Sequence, residues 1–163
     1  MMKEELTPTQ IAILSLIRAK DIHGKDFSPI PGRIHLVKEL FSLAKTQLGE
    51  RLVPELAFEA EKFGPFDETV IAALDELEDA QIVEVASKGA SAEIRLTSRG
   101  RQISSELWNR MRGDVRGLIS YVKANYNHKS SDAVLEEIYA AFPDYAKYSL
   151  SRLATKYKEH EKA

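Results

Sequence analysis

Apolar and polar positions along this chain switch between two periods, and each switch marks an element. Thr7-Pro8 sets a capping hydroxyl before a proline at the first helical position, and Ile11, Leu14, Leu16 and Ile17 recur at near-helical spacing. This predicts a first helix over 8–20. Gly24, Pro29, Pro31 and Gly32 then punctuate a loop. A second helix is predicted over 33–47, where Ile34, Leu36, Val37, Leu40, Phe41, Leu43 and Ala44 are too many for one thin stripe, so that helix is expected to be central. After Gly49 and Pro54 the period falls to two: Leu56, Phe58 and Ala60 alternate with Glu55, Ala57, Glu59 and Glu61, a half-buried strand over 55–63 that Gly64-Pro65 ends.

Asp67 is an N-cap for a third helix over 68–79, turned inward through Val70, Ile71, Leu74 and Leu77, with Phe66 placed to pack on Ile71 as a hydrophobic staple. The segment IVEVASKGASAEIRLT holds two alternating runs around Gly89 and predicts a β-hairpin, with Val83 and Val85 facing the same way as Ile94 and Leu96. Thr97 caps a further helix that buries Ile103, Leu107 and Trp108, and Gly113 and Gly117 are expected to weaken or kink it before LISYVKANY. A last helix starts at Ser130 and must stop near Pro143. The tail from Tyr148 begins amphipathic, with Leu150, Leu153 and Tyr157, and its charged end is expected to fray.

The order helix, helix, helix, hairpin, helix is that of a winged helix, in which the hairpin is the wing. IRLTSRGRQI resembles the "LT..G" junction that follows the wing in many winged-helix regulators. FGPFDETVIAALDELEDAQIVEV and the C-terminal SSDAVLEEIYAAFPDYAKYS resemble segments of the YwgA-like prokaryotic winged-helix group, and together these motifs span roughly residues 7–150. The resemblance implies a mainly α fold with a small β-sheet (α+β): a winged-helix domain over 1–112, with an inserted strand expected to join the wing sheet, and a C-terminal helical extension over 113–163 packed on it. It also implies a prokaryotic regulator.

Charge changes that picture. The chain has 163 residues and a net charge of −2, which gives no overall attraction to nucleic acid. Residues 67–80 carry Asp67, Glu68, Asp75, Glu76, Glu78 and Asp79 and no cation, a local charge of −6, whereas residues 99–128 sum to +4. The outward positions of the third helix are expected at 68, 72, 75 and 79. In a major groove these carboxylates would meet phosphate repulsion instead of releasing counterions, so this helix is rejected as the reader. Duplex DNA could instead be met by the wing side, through Lys88, Arg95, Arg99 and Arg101. The plainer alternative pairs Arg95 with Glu84 across the hairpin and lets the later arginines offset the acidic helix or face solvent. The competing function is protein association, with Glu68, Asp75 and Asp79 docking on a basic partner or on the basic segment of a second copy as a homodimer.

Catalysis has the least support. His23, His35, His128 and His160 show no metal-ligand spacing, no Gly-rich phosphate loop occurs, and adjacent carboxylates such as Asp75/Glu76 diverge around a helix. No enzyme activity, catalytic residue, metal or cofactor is therefore expected. The aromatic residues, among them Phe63, Tyr145 and Tyr148, fit core packing better than a stacking platform. No run approaches roughly 18 apolar residues, MMKEELTPTQ has neither a basic nor an apolar leader region, and there is no cysteine, so a soluble cytoplasmic protein without a membrane partner is expected.

Overall fold

The structure, a computed structural model, describes residues 5–62, 64–88 and 91–148, with backbone alone at 87, 88 and 91. Phe63, Gly89 and the tail beyond Tyr148 therefore lie outside the described residues. The chain is mainly helical with two small antiparallel sheets, an α+β fold. In order it forms α1 (Pro8–Arg18), α2 (Arg33–Ala44), α3 (Gln47–Leu52), β1 (Glu59–Glu61), β2 (Gly64–Phe66), α4 (Glu68–Asp79), β3 (Val83–Lys88), β4 (Ser91–Leu96), α5 (Ser98–Arg110), α6 (Gly113–Tyr126) and α7 (Ser131–Ala141), followed by a 3-10 turn at Pro143–Ala146.

Local signals account for most starts and stops. Thr7 and Gln10 form a reciprocal capping box on α1, and Asp67, Thr97 and Ser130 each accept a backbone N–H at the starts of α4, α5 and α7. At the end of α4, Gln81 takes a left-handed φ of 59°. Its N–H bonds to Glu78 and that of Ile82 to Leu77, the paired bonds of a Schellman stop that bring buried Ile82 over buried Leu77. The LT..G junction has a physical reading here. Thr97 Oγ1 accepts from Gly100 N and donates toward the Gln81 and Ile82 carbonyls. A Cβ at Gly100 would stand 2.0 Å from the Ile82 carbonyl oxygen, so the start of α5 can press against that turn only with glycine there.

Several expected boundaries move. The second predicted helix ends at Ala44 instead of 47, and a short helix that the pattern does not predict, α3, follows it, with Gly49 so close to the Leu43 carbonyl that a Cβ there would clash. The expected kink at Gly113 and Gly117 is instead a full break: α5 ends at Arg110, α6 begins at Gly113, and Gly117 lies within α6. The predicted strand over 55–63 shrinks to β1, which pairs with β2 in the register Glu59 to Phe66 and not with the wing. Gly64, at φ +108°, allows the tight return, and Pro65 follows it into the interior. The hairpin gains its third partner elsewhere. Ile30, in the loop between α1 and α2, exchanges both backbone hydrogen bonds with Ile94. The expected facing of Val83 and Val85 with Ile94 and Leu96 matches the observed register.

One core runs through α1, α2, α4, the hairpin and α6, with Ile13, Leu16, Leu40, Leu74, Ile94 and Ile119 almost fully buried. A smaller cluster joins α7 and the 3-10 turn to Phe41, whose ring meets Phe58, Phe142 and Tyr145 edge-on at 5.2, 5.3 and 4.8 Å.

A buried cation ties α6 to α1. Of the last four carbonyls of α1, that of Ser15 accepts from Ala19 N and that of Arg18 from Phe27 N. Those of Leu16 and Ile17 would be orphaned inside the core. Lys123 Nζ donates to both, at 2.7 and 3.1 Å, and also to the carbonyls of Ala19 at 3.3 Å and Ser28 at 2.8 Å. A positive group at a helix C-terminus is favoured by the helix dipole as well. Lys123→Met keeps the apolar stem but leaves these carbonyls without a donor, and should cost roughly 3–5 kcal/mol in urea denaturation, the range seen when a buried charged partner is removed.

Candidate functional site

The outer face of α4 is as acidic in space as in sequence: Glu68, Ala72, Asp75 and Asp79 are all exposed. Several carboxylates of this segment, Asp75 among them, have partners within the fold. Asp67 accepts from the N–H groups of Thr69 and Ala57, and Glu76 accepts from Gln10 Nε2 at 2.9 Å. Asp75 and Glu78 share Arg33 Nη2, at 3.5 and 3.7 Å. A cation that offsets α4 thus comes from the start of α2.

Those arginines have other work. Arg95 lies opposite Glu84 in the ladder, as the pattern suggests, but its guanidinium takes Glu93, two residues earlier on its own strand, at 2.7 Å. Residues two apart on a strand share a face, so this pair needs no reach across the hairpin. Arg99 Nη1 donates to the Ala80 carbonyl at the end of α4. Arg101 turns the other way, its guanidinium 4.9 Å from the Phe27 ring centre, with Arg18 stacked at 4.7 Å. Arg99 and Arg101 are therefore brought to different neighbours. The side chain of Lys88 lies outside the described residues. Farther along the basic segment, Arg112 pairs with Asp114 and Arg116 donates to the Met111 carbonyl.

A second feature lies beside the acidic helix and was not singled out from the sequence. Ile34, Val37, Pro65, Phe66 and Ile71 wall an apolar pit of about 140 Å³, open on one side, with the stems of Arg33 and Lys38 at its edge. Ile34 is 52% exposed and Phe66 38%. Phe66 and Ile71, the expected staple pair, both line the pit. Glu61 and Phe66 also belong to a neighbouring trough lined by Glu59, Asp67 and Glu68, so the pit opens beside a row of carboxylates. The signal was present in α2, whose apolar residues exceed one face: Ile34 and Val37 start a second stripe, which the core does not cover at Ile34.

The interior titratable groups form a closed cluster. His35, a candidate base only by residue type, is 2% exposed. Its Nε2 sits 2.9 Å from the Tyr126 carbonyl, to which it donates, and 3.4 Å from a Glu39 carboxyl oxygen. Burial lowers the His35 pKa, the Tyr126 carbonyl opposing and Lys38 assisting. Burial also pushes the Glu39 carboxyl up to about 8, against the attraction of Lys123. Among the described residues neither Glu39 oxygen has a hydrogen-bond partner. None of the cavities described above is lined by Glu39, Lys123 or His35. Among the described residues no group of three or more His, Asp or Glu side chains could hold a metal, and no helix is long and apolar enough to cross a membrane.

The Glu39 shift fixes a sign for pH dependence. Its pKa is raised on folding from an ordinary 4.5, so the folded state holds this proton more tightly than the unfolded chain. That contribution is full below the unfolded pKa and is lost as pH rises through the folded one. Lys123, which burial brings down to about 8, begins to lose its charge only at the top of this window. Glu39 should therefore contribute a few kcal/mol less stability at about pH 8 than at about pH 5, while His35, whose pKa burial lowers, acts in the opposite direction as pH rises toward its unfolded value of 6.5. Glu39→Gln should remove the Glu39 part of the slope in denaturant titrations at several pH values.

Compared with known proteins, the chain matches no family model, and no curated protein matches it.

Proposed function

We propose that this chain is a non-enzymatic association module of winged-helix type, of the kind the YwgA-like resemblance suggests, acting as an adaptor or regulator through contacts with a basic protein partner. The observation that carries this reading is the outer face of α4, where Glu68, Asp75 and Asp79 stand exposed around Ala72. A partner bearing lysines or arginines gains long-range attraction to such a face, and a phosphate backbone is repelled by it. The wing side offers less to DNA than its sequence suggests, because Arg95, Arg99 and Arg101 already meet Glu93, the Ala80 carbonyl and Phe27.

A second reading keeps duplex DNA as the partner. It is favoured by the exposure of Arg99 and Arg101 in the first turn of α5, next to the hairpin that carries Lys88 and Arg95. Fluorescence anisotropy separates the two. A labelled lysine-rich peptide without apolar residues should bind with a salt-dependent affinity that weakens several-fold in the Glu68→Gln/Asp75→Asn/Asp79→Asn variant. A mixed-sequence duplex should show no saturable binding even at roughly 50 mM salt, where backbone contacts are strongest. Duplex binding abolished by neutralising Lys88, Arg95, Arg99 and Arg101 would overturn the association reading in favour of DNA.

A further inference from the structure

We infer that the pit between α2 and β2 is the anchor site for a short basic segment of a partner protein, which inserts one apolar side chain there and lays its lysines or arginines along Glu59, Glu61 and Glu68. The inference rests on the association reading and adds to it one groove, which shares Glu68 with the outer face of α4, and one partner chemistry.

Three observations carry it. The first is shape. The walls are Ile34, Val37, Pro65, Phe66 and Ile71, and the volume of about 140 Å³ is close to the roughly 150 Å³ of an apolar cavity that accepts benzene, so one leucine or phenylalanine side chain fits. The second is exposure. Ile34 and Phe66 leave much of their surface in water, where a partner's apolar group would remove it.

The third is charge. Glu59 and Glu61 stand two apart on β1 and share a face, and Glu68 opens α4 beside Phe66. Among the described residues none of these three has an ion-pair or hydrogen-bond partner, although Asp67 adds a further negative charge to the same trough. The cations nearest the pit are already committed. Arg33 is held by Asp75 and Glu78, and Lys38 turns its ammonium to the Ser131 carbonyl at 3.1 Å. Lys62, on the exposed turn between β1 and β2, lies outside both linings. A basic segment therefore finds carboxylates with no ion-pair partner among the described residues, directly beside an apolar opening.

An acidic segment would be repelled by the trough. A wholly apolar one would leave it unmatched. The occupant that satisfies both halves is positively charged with a single apolar anchor, bound in the manner of a short peptide with one side chain in a pocket.

Two labelled peptides test this, one lysine-rich with a single central leucine and one identical except for serine at that position. Burial of the leucine should tighten binding at least about tenfold over the serine peptide. Ile34→Ser, at a half-exposed position that leaves the core intact, should remove that advantage while the serine peptide binds as before. Glu61→Gln should weaken both peptides, and thermal unfolding verifies that each variant is folded. Equal affinity for the two peptides would overturn the anchor site and leave the association reading standing. Failure of both peptides to bind would overturn both. A concentration-dependent dimer abolished by Ile34→Ser, with no preference between peptides, would assign the pit to a second copy and overturn the peptide proposal.

Discussion

A single ammonium group inside the core sets how the helices of this protein can be arranged. The C-terminus of α1 points into the interior, where two of its carbonyls have no helical partner, and α1 is the helix around which α4, α5 and α6 are packed. Lys123 reaches them from α6 and also holds Ala19 and Ser28, at the start and toward the end of the loop that leads to α2. Satisfying four acceptors at once restricts α6 to one depth and one rotation against α1. A neutral apolar residue would fill the space but leave those acceptors dry.

The loop held at Ser28 carries Ile30, which bonds to the hairpin through Ile94, and Asn127 Nδ2 reaches the Pro29 carbonyl from the end of α6. With α1, the loop and the hairpin held together, α2 is committed to the centre through Leu36, Leu40 and Leu43. Its first turn then faces β2 and the start of α4. Ile34 is left outside, and the pit between α2 and β2 is the consequence. A fold organised by interior polar bonds has in this way produced an uncovered apolar opening at its rim.

Charge is sorted by the same geometry. Cations that look available along the chain are used as helix stops, ring stackers or local pair members: Arg116 at the end of α5, Arg99 at the end of α4, Arg101 and Arg18 on Phe27. The carboxylates of β1 and the outer face of α4 are less committed, so an almost neutral chain presents one side with excess negative charge. Exposed pairs of this kind contribute little to stability in water. Their larger effect is on which partners approach.

Caps and periodicity made much of the architecture legible in the residues alone. Thr7 with Gln10, Asp67, Thr97 and Ser130 start helices because their side chains can satisfy N–H groups one turn ahead, and the stripe Val70, Leu74, Leu77 turns inward because it repeats at the helical period. These are local effects, and local sequence is enough to specify them. Pairing is different. The alternation Leu56, Phe58, Ala60 marks a strand but cannot say whether its edge meets β2 or the hairpin; pairing with the adjacent β2 closes the shorter loop, at lower entropic cost. Lys123 and Glu39 read as ordinary charged helix residues, since nothing in their neighbours along the chain announces an orphaned carbonyl about a hundred residues away. The pit was equally hidden, because whether Ile34 belongs to the core or the surface depends on which of α2's two apolar stripes its neighbours cover. The sequence by itself determined where elements begin, end and turn their apolar sides. Tertiary structure alone decided which charges are buried, which are matched and which remain for a partner, because those outcomes depend on groups brought together across the chain.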